Sequence, residues 1–305
     1  MTKAKRVGLV VCIGVFCALM SLENAKAVPV TVNPLLPNHQ DLLVPSFGDF
    51  NVTFAYQGPP PSAQIINLFE DAANFWESQI SGYRTQGLAD AIPALILDVT
   101  IATIDGVGSI LGSAGWRRAQ QSDGFTTPDR GAMTFDVDDI NAFLGQPGGT
   151  DRITAVIIHE MAHTMGYSPS IWDFNNAVAA EDGSGFFTEY AGSFGLEAYN
   201  AEFADELGGP VTSIPLEDGG GQGTRGAHWD EQTFGNFTAN GGFGDNPEIM
   251  TGFLNQNPYL AQTTLFSFQD LGYAVLPLPA SVWLMLGGLG ALAALRRWPL
   301  RASAA

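Results

Sequence analysis

Lysine is nearly missing from this 305-residue chain: it occurs only as Lys3, Lys5 and Lys26. Arginine adds little. Arg296, Arg297 and Arg301 sit at the far end, and only Arg84, Arg117, Arg118, Arg130, Arg152 and Arg225 lie between. That long middle stretch sets six cations against 30 acids, a net charge of −24. Such a surface excludes nucleic-acid binding, which needs clustered cations against phosphate. It is equally unattracted to anionic lipid. Charged residues of all kinds reach only 14%, with 46% hydrophobic, so the chain is not intrinsically disordered. Cysteine is limited to Cys12 and Cys17, which leaves no disulfide for the body of the chain. The acid excess reads as a well-solvated surface. Calcium binding by some of these acids is the alternative, and no EF-hand loop or nonapeptide repeat supports it.

The two ends read as addresses. Residues 1–27 have a basic start (Lys3, Lys5, Arg6), an apolar run from Val7 to Met20, and Ala25-Lys26-Ala27. This is the pattern of a secretory signal peptide, handled by Sec-type export machinery. Both cysteines leave with it. At the other end, residues 277–305 carry a proline motif within Leu276-Pro277-Leu278-Pro279-Ala280, an apolar run to Leu295, and the Arg296-Arg297 pair. The run is short for a transmembrane helix, but the arginines fit a cytoplasmic stop. The arrangement resembles the PEP-CTERM sorting signals of Gram-negative bacteria. That resemblance implies transient membrane anchoring, removal by an exosortase-type transpeptidase, and release to the cell surface or medium. It also implies an association with exopolysaccharide. The alternative is a simple anchor that stays in place.

Residues 28–276 form the body. Phe50 to Tyr56 alternates as a strand does. Ser62 caps an expected helix to about Ser81, with Ile65, Ile66, Phe69, Ala72, Ala73, Trp76 and Ile80 on one face. Ala94 to Ile104 reads as a buried strand, Ser109 to Trp116 and Ala132 to Val137 as shorter ones. Thr150 to Thr164 reads as a helix with Asp151 in its first turn. Residues 168–226 show weak periodicity and read as irregular. Leu260 to Leu271 looks helical and Tyr273 to Val275 extended.

The chemistry sits at His159-Glu160-Met161-Ala162-His163. At helical spacing the two histidines share one face, one turn apart, so two ring nitrogens reach one tetrahedral Zn²⁺. Glu160 lies beside the metal without binding it. It suits a base that takes a proton from the attacking water and passes it to the leaving amine. Gly166 suits a sharp helix exit. A third ligand is needed. Pro169 stands where short motifs of this kind carry a histidine. The remaining histidines are His39, in a proline-rich lead-in, and His228. Glu181 and Glu189 are the alternative, as in gluzincins, which take a downstream glutamate.

His159 to Gly166, then the distant His228-Trp229 pair, then Met250 in Glu248-Ile249-Met250-Thr251-Gly252, together resemble the leishmanolysin branch of the metzincin metallopeptidases. The resemblance implies an α+β metzincin-like fold. An upper subdomain would hold a twisted mixed sheet and two long helices, an irregular lower subdomain would hold His228 and Met250, and a zinc cleft would lie between. It implies one catalytic zinc on His159, His163 and His228, and a methionine turn at Met250. Glu160 would be the catalytic residue of an endopeptidase acting on protein or peptide substrates. The segment containing Ser109, Leu111 and Ser113 resembles the family's antiparallel edge strand, to which an extended peptide adds. The chain departs from the family in two ways. Without cysteine in the body it can use no cysteine switch, and Gly252 stands where some metzincins keep a tyrosine as transition-state donor. Tyr167, Tyr190, Arg225 or a backbone N–H would fill that role. The rival reading is a surface or matrix protein that keeps the fold without turnover.

Overall fold

The computed structural model describes residues 30–32, 42, 44–108, 110–221, 223–236, 248–253 and 258–276. The expected signal peptide, the sorting signal, His39 and Ser109 lie outside the described residues. The described residues begin with a short strand β1 (Thr31–Val32), then β2 (Val52–Gln57), α1 (Ala63–Glu77), β3 (Ile80–Tyr83), α2 (Gln86–Ala91) and β4 (Leu95–Ala102). A hairpin of β5 (Gly112–Ser122) and β6 (Phe125–Asp136) leads to α3 (Val137–Leu144) and α4 (Gly149–Thr164). Next come α5 (Pro169–Phe174), β7 (Val178–Glu181), β8 (Phe187–Tyr190), α6 (Ser193–Glu202), α7 (Ala204–Leu207) and β9 (Ile214–Pro215). After these stand α8 (Glu231–Asn236), β10 (Tyr259–Leu260), α9 (Gln262–Asp270) and β11 (Tyr273–Val275).

The architecture is α+β. Its main sheet has the order β2-β4-β6-β5. β2, β4 and β6 run parallel, and β5 is the antiparallel edge. Leu95, Leu97 and Val99 alternate along β4 and are buried, because that face is covered by helices. Asp98, on the opposite face, meets Arg130 in two bonds of 2.9 Å. Helix α1 starts at Ser62, whose hydroxyl accepts from the Ile65 N–H. Its buried stripe of Leu68, Phe69, Ala72 and Trp76 follows the helical period. Phe69 packs edge-on against Phe135 of β6, with ring centroids 5.2 Å apart. The Trp76 indole donates to the Ile158 carbonyl at 3.0 Å and so ties α1 to α4. Helix α4 lies close on β6 at Gly131, where a Cβ would come within 2.5 Å of the Thr164 Cβ.

Four expectations need correction. The helix that starts at Ser62 ends at Glu77, and Ile80, expected on its face, opens β3. The two short strands are one long hairpin, because Asp123 and Gly124 both adopt positive φ, 52° and 88°, the geometry a two-residue hairpin turn requires. The strand expected from Ser109 begins at Gly112. The region expected to be irregular holds the antiparallel sheet β7-β8-β9 and helix α6. Short strands with bulged pairing leave no alternation long enough to read. The last described strand closes on an early one: β11 pairs antiparallel with β3. Among the described residues no helix is long and apolar enough to cross a membrane.

Candidate active site

His159 and His163 lie one turn apart near the end of α4. The helix ends as a glycine exit dictates. Gly166 has φ 106°, its N–H donates to the His163 carbonyl, and the Tyr167 N–H reaches back to Ala162. These two bonds are the Schellman pattern. They bring the Tyr167 carbonyl to 2.6 Å from Nδ1 of His163. Nδ1 of His159 faces the Ile249 carbonyl at 2.7 Å, and Nδ1 of His228 faces that of Thr224 at 3.0 Å. A carbonyl oxygen only accepts, so each Nδ1 carries the proton and each Nε2 presents a lone pair.

The three Nε2 atoms converge. His163 lies 3.1 Å from His159 and 3.1 Å from His228, and the third side is 3.2 Å. Three lone pairs at this distance repel and cannot bond one another. Zinc–nitrogen bonds of about 2.0–2.1 Å in a tetrahedron require nitrogens about 3.3 Å apart, so the donor set fits zinc closely. Burial keeps the imidazoles neutral, as a metal ligand must be. It lowers the pKa of all three, that of His228 to about 3 with His159 adding to the effect. Glu160 is also removed from water, which pushes it up to about 8; a nearby dication opposes that shift.

A cleft of about 550 Å³ opens over these groups, lined by Glu160, the three histidines, Gly112 and Phe253 among others. Gly112 permits close approach: a Cβ there would sit 3.0 Å from the Phe135 ring and 3.4 Å from the Glu160 Cγ. Leu111 and Ser113 line the same cleft. Ser113 pairs with Thr134 in the sheet, and the Leu111 carbonyl accepts from the Asp136 N–H just before β5 begins. The rim is apolar, with Ile110 48% and Phe253 60% exposed.

Met250 is fully buried in a turn closed by the Thr251 N–H on the Glu248 carbonyl. Its own carbonyl accepts from the Trp229 N–H. The turn is therefore fixed between the His159 and His228 segments. Trp229 explains why an aromatic follows His228. It is fully buried, stacks on Trp172 and Phe234, and donates from its indole to Thr264 at 2.7 Å. Thr264 in turn donates to Glu248 at 2.6 Å, so one chain of bonds links His228's neighbour to the Met250 turn.

Residues 83–283 match the leishmanolysin family. The chain belongs to that family. No curated protein matches it. Leishmanolysins are zinc-dependent metallopeptidases, which makes this chain a hydrolase of the metallopeptidase class, and its three histidines form a cluster able to hold a metal ion. Glu181 and Glu189, the alternative ligands, are exposed on β7 and β8, outside the cluster. None of Tyr167, Tyr190 and Arg225 lines the cleft. Tyr167 is fully buried, Tyr190 donates to Asp270 at 2.8 Å, and Arg225 pairs with Asp182 at 2.6 Å. Gly252 does line it, and a Cβ there would lie 2.5 Å from the Thr224 methyl, so any side chain at this position must displace Thr224. The carbonyls of Tyr167, Thr224 and Ile249 escaped the sequence reading, since a backbone oxygen has no residue type to betray it.

Proposed function

We propose that the protein is an exported zinc endopeptidase working at the cell surface or outside the cell. The observation that supports this most is the triangle of Nε2 lone pairs, each aimed by a backbone carbonyl and opening on the cleft that Glu160 lines. Zinc held by His159, His163 and His228 would polarise the scissile carbonyl and make water a nucleophile at neutral pH. The Glu160 carboxylate takes a proton from the attacking water and returns it to the departing amine nitrogen. Ile249, Tyr167 and Thr224 hold the imidazoles in the tautomer that keeps Nε2 free. Met250 packs the turn that carries the Ile249 carbonyl.

Substrate lies along β5. That strand has β6 on one side only, so its other edge offers N–H and C=O groups to an extended peptide. Irregular pairing between Trp116 and Ala119 separates the part of the edge beside the cleft from the rest of the strand, as bulges do. Main-chain pairing here holds the scissile bond in register with Glu160. Ile110, Leu111 and Phe253 favour apolar side chains beside that bond. The signal peptide at 1–27 and the PEP-CTERM-like tail at 277–305 would bring the enzyme out and anchor it transiently.

Zinc content and casein hydrolysis by the full-length protein, measured beside Glu160→Gln, test the reading. Equal hydrolysis by the two proteins would refute it. A wild-type protein that binds zinc but cleaves nothing would favour the matrix-protein alternative.

A further inference from the structure

Asp105, Asp136 and Asp139 bring carboxylate oxygens within 4.8 Å of one another, in a group that shares no residue with the histidine cluster. Asp105 is exposed and sits on the loop between β4 and β5. Asp136 ends β6, and Asp139 lies in the first turn of α3. Both are buried. Asp136 is largely satisfied: its Oδ2 accepts from the N–H groups of Ile104, Asp105 and Gly106, and its Oδ1 from Asp138. Asp139 is different. Its Oδ1 accepts from Gly108 at 2.7 Å, but its Oδ2 is buried with no partner, although the residue is only 2% exposed. A buried carboxylate oxygen left without a donor is costly. Two further carboxylates at this distance add repulsion that a bound cation would remove.

We propose that Asp105, Asp136 and Asp139 bind one calcium ion. All three ligands are hard oxygens, which favours a hard cation over the softer transition metals. Ligands at about 2.4 Å from one calcium lie at most about 4.8 Å apart, a limit that these three carboxylates meet. Exposed Asp105 gives the ion its entry from solvent. The site has a consequence for the cleft. The loop from residue 103 carries Asp105 and Gly108 and runs on to Ile110 and Leu111, which line the cleft ahead of β5. An ion bridging this loop to α3 fixes the start of the strand against which substrate lies.

The test is calorimetric titration of CaCl₂ into full-length protein carrying one equivalent of zinc and freed of calcium on chelating resin. One ion per chain is expected, with a Kd of about 10⁻⁴–10⁻³ M, the range of extracellular modules. Asp139→Asn and Asp105→Asn should each weaken binding by about tenfold or more. Asp105 is exposed, so its variant folds even if Asp139→Asn does not. Glu217→Gln, in the separate acidic group with Asp218 and Asp230, should bind as wild type does. Calcium should also raise the melting temperature of wild type but not of Asp105→Asn. Absence of binding up to 10 mM, wild-type affinity in Asp105→Asn, loss in Glu217→Gln, or tighter binding of magnesium would each overturn the proposal.

Discussion

Glu202 and Asp270, the last residues of α6 and α9, cap each other's helices. The Glu202 carboxylate accepts from the N–H groups of Gln262 and Thr263 at 3.0 and 2.9 Å, at the start of α9. Asp270 accepts from Phe194 and Gly195 at 3.0 and 2.9 Å, at the start of α6. The two helices therefore run antiparallel, each with its terminal acid on the positive end of the other. Glu248 joins them by accepting from the Ala261 N–H at 3.1 Å. Burial raises the pKa of Asp270, and that of Glu248 to about 8. The Met250 turn is held by this assembly.

Glu202→Ala should lower stability by about 2–3 kcal/mol, the scale of hydrogen bonds to a buried charged group. For a chain this size that is a fall in Tm of roughly 4–10 °C by circular dichroism. An unchanged melting curve would show that the reciprocal caps carry no stability.

Glu160→Gln should keep its zinc and lose casein hydrolysis by at least about a hundredfold, the contribution of a general base. Metal analysis after dialysis and a rate assay on the same sample check both halves. A variant without zinc would mean that Glu160 helps to hold the metal.

His228→Ala removes one of three protein ligands, and zinc affinity should fall by at least about a hundredfold. Glu181→Ala and Glu189→Ala should retain full zinc content by mass spectrometry. Zinc lost from Glu189→Ala and kept by His228→Ala would reverse the ligand assignment.

Asp98 gives a dependence on acid. Its bidentate bond to Arg130 holds the Asp98 pKa below the ordinary carboxylate value of 3.8. Folding thus favours the ionised form, and its contribution is complete above pH 3.8 and lost as pH falls through the lower folded value. The pair is partly exposed, so Asp98→Asn should cost only about 0.5–1 kcal/mol at pH 7. The gap in Tm between wild type and variant should close on acidification below pH 3.8. A gap that widens there contradicts the sign.

Long periodic elements were legible in the sequence. The stripe from Ile65 to Trp76 and the helix through His159 and His163 appear within a few residues of where they were expected. The cluster itself was legible because histidine is rare here, and His228 is joined to a tryptophan that needs a core. The caps were not. An acid at the end of its own helix breaks the usual charge rule, and only the neighbouring helix explains Glu202 and Asp270. The Asp123-Gly124 turn was present in the sequence, but the polar stretch Arg117-Arg118-Ala119-Gln120-Gln121 concealed the strand leading to it. Asp139 carried no signal, because its partners arrive from a loop some thirty residues earlier.

Chain order sets a clock on this centre. His163 is aimed by Tyr167, four residues on, as soon as α4 ends. His159 waits for the Ile249 carbonyl, 90 residues downstream. The strand that pairs with β3 comes later still, at Tyr273 to Val275. At about 5–20 residues per second, synthesis of those 90 residues takes roughly 5–20 s, and the third imidazole arrives only within that interval. A growing chain thus carries α4 with one of its two histidines oriented and the other still waiting. The cluster is complete only when the last described strand has closed on one of the first.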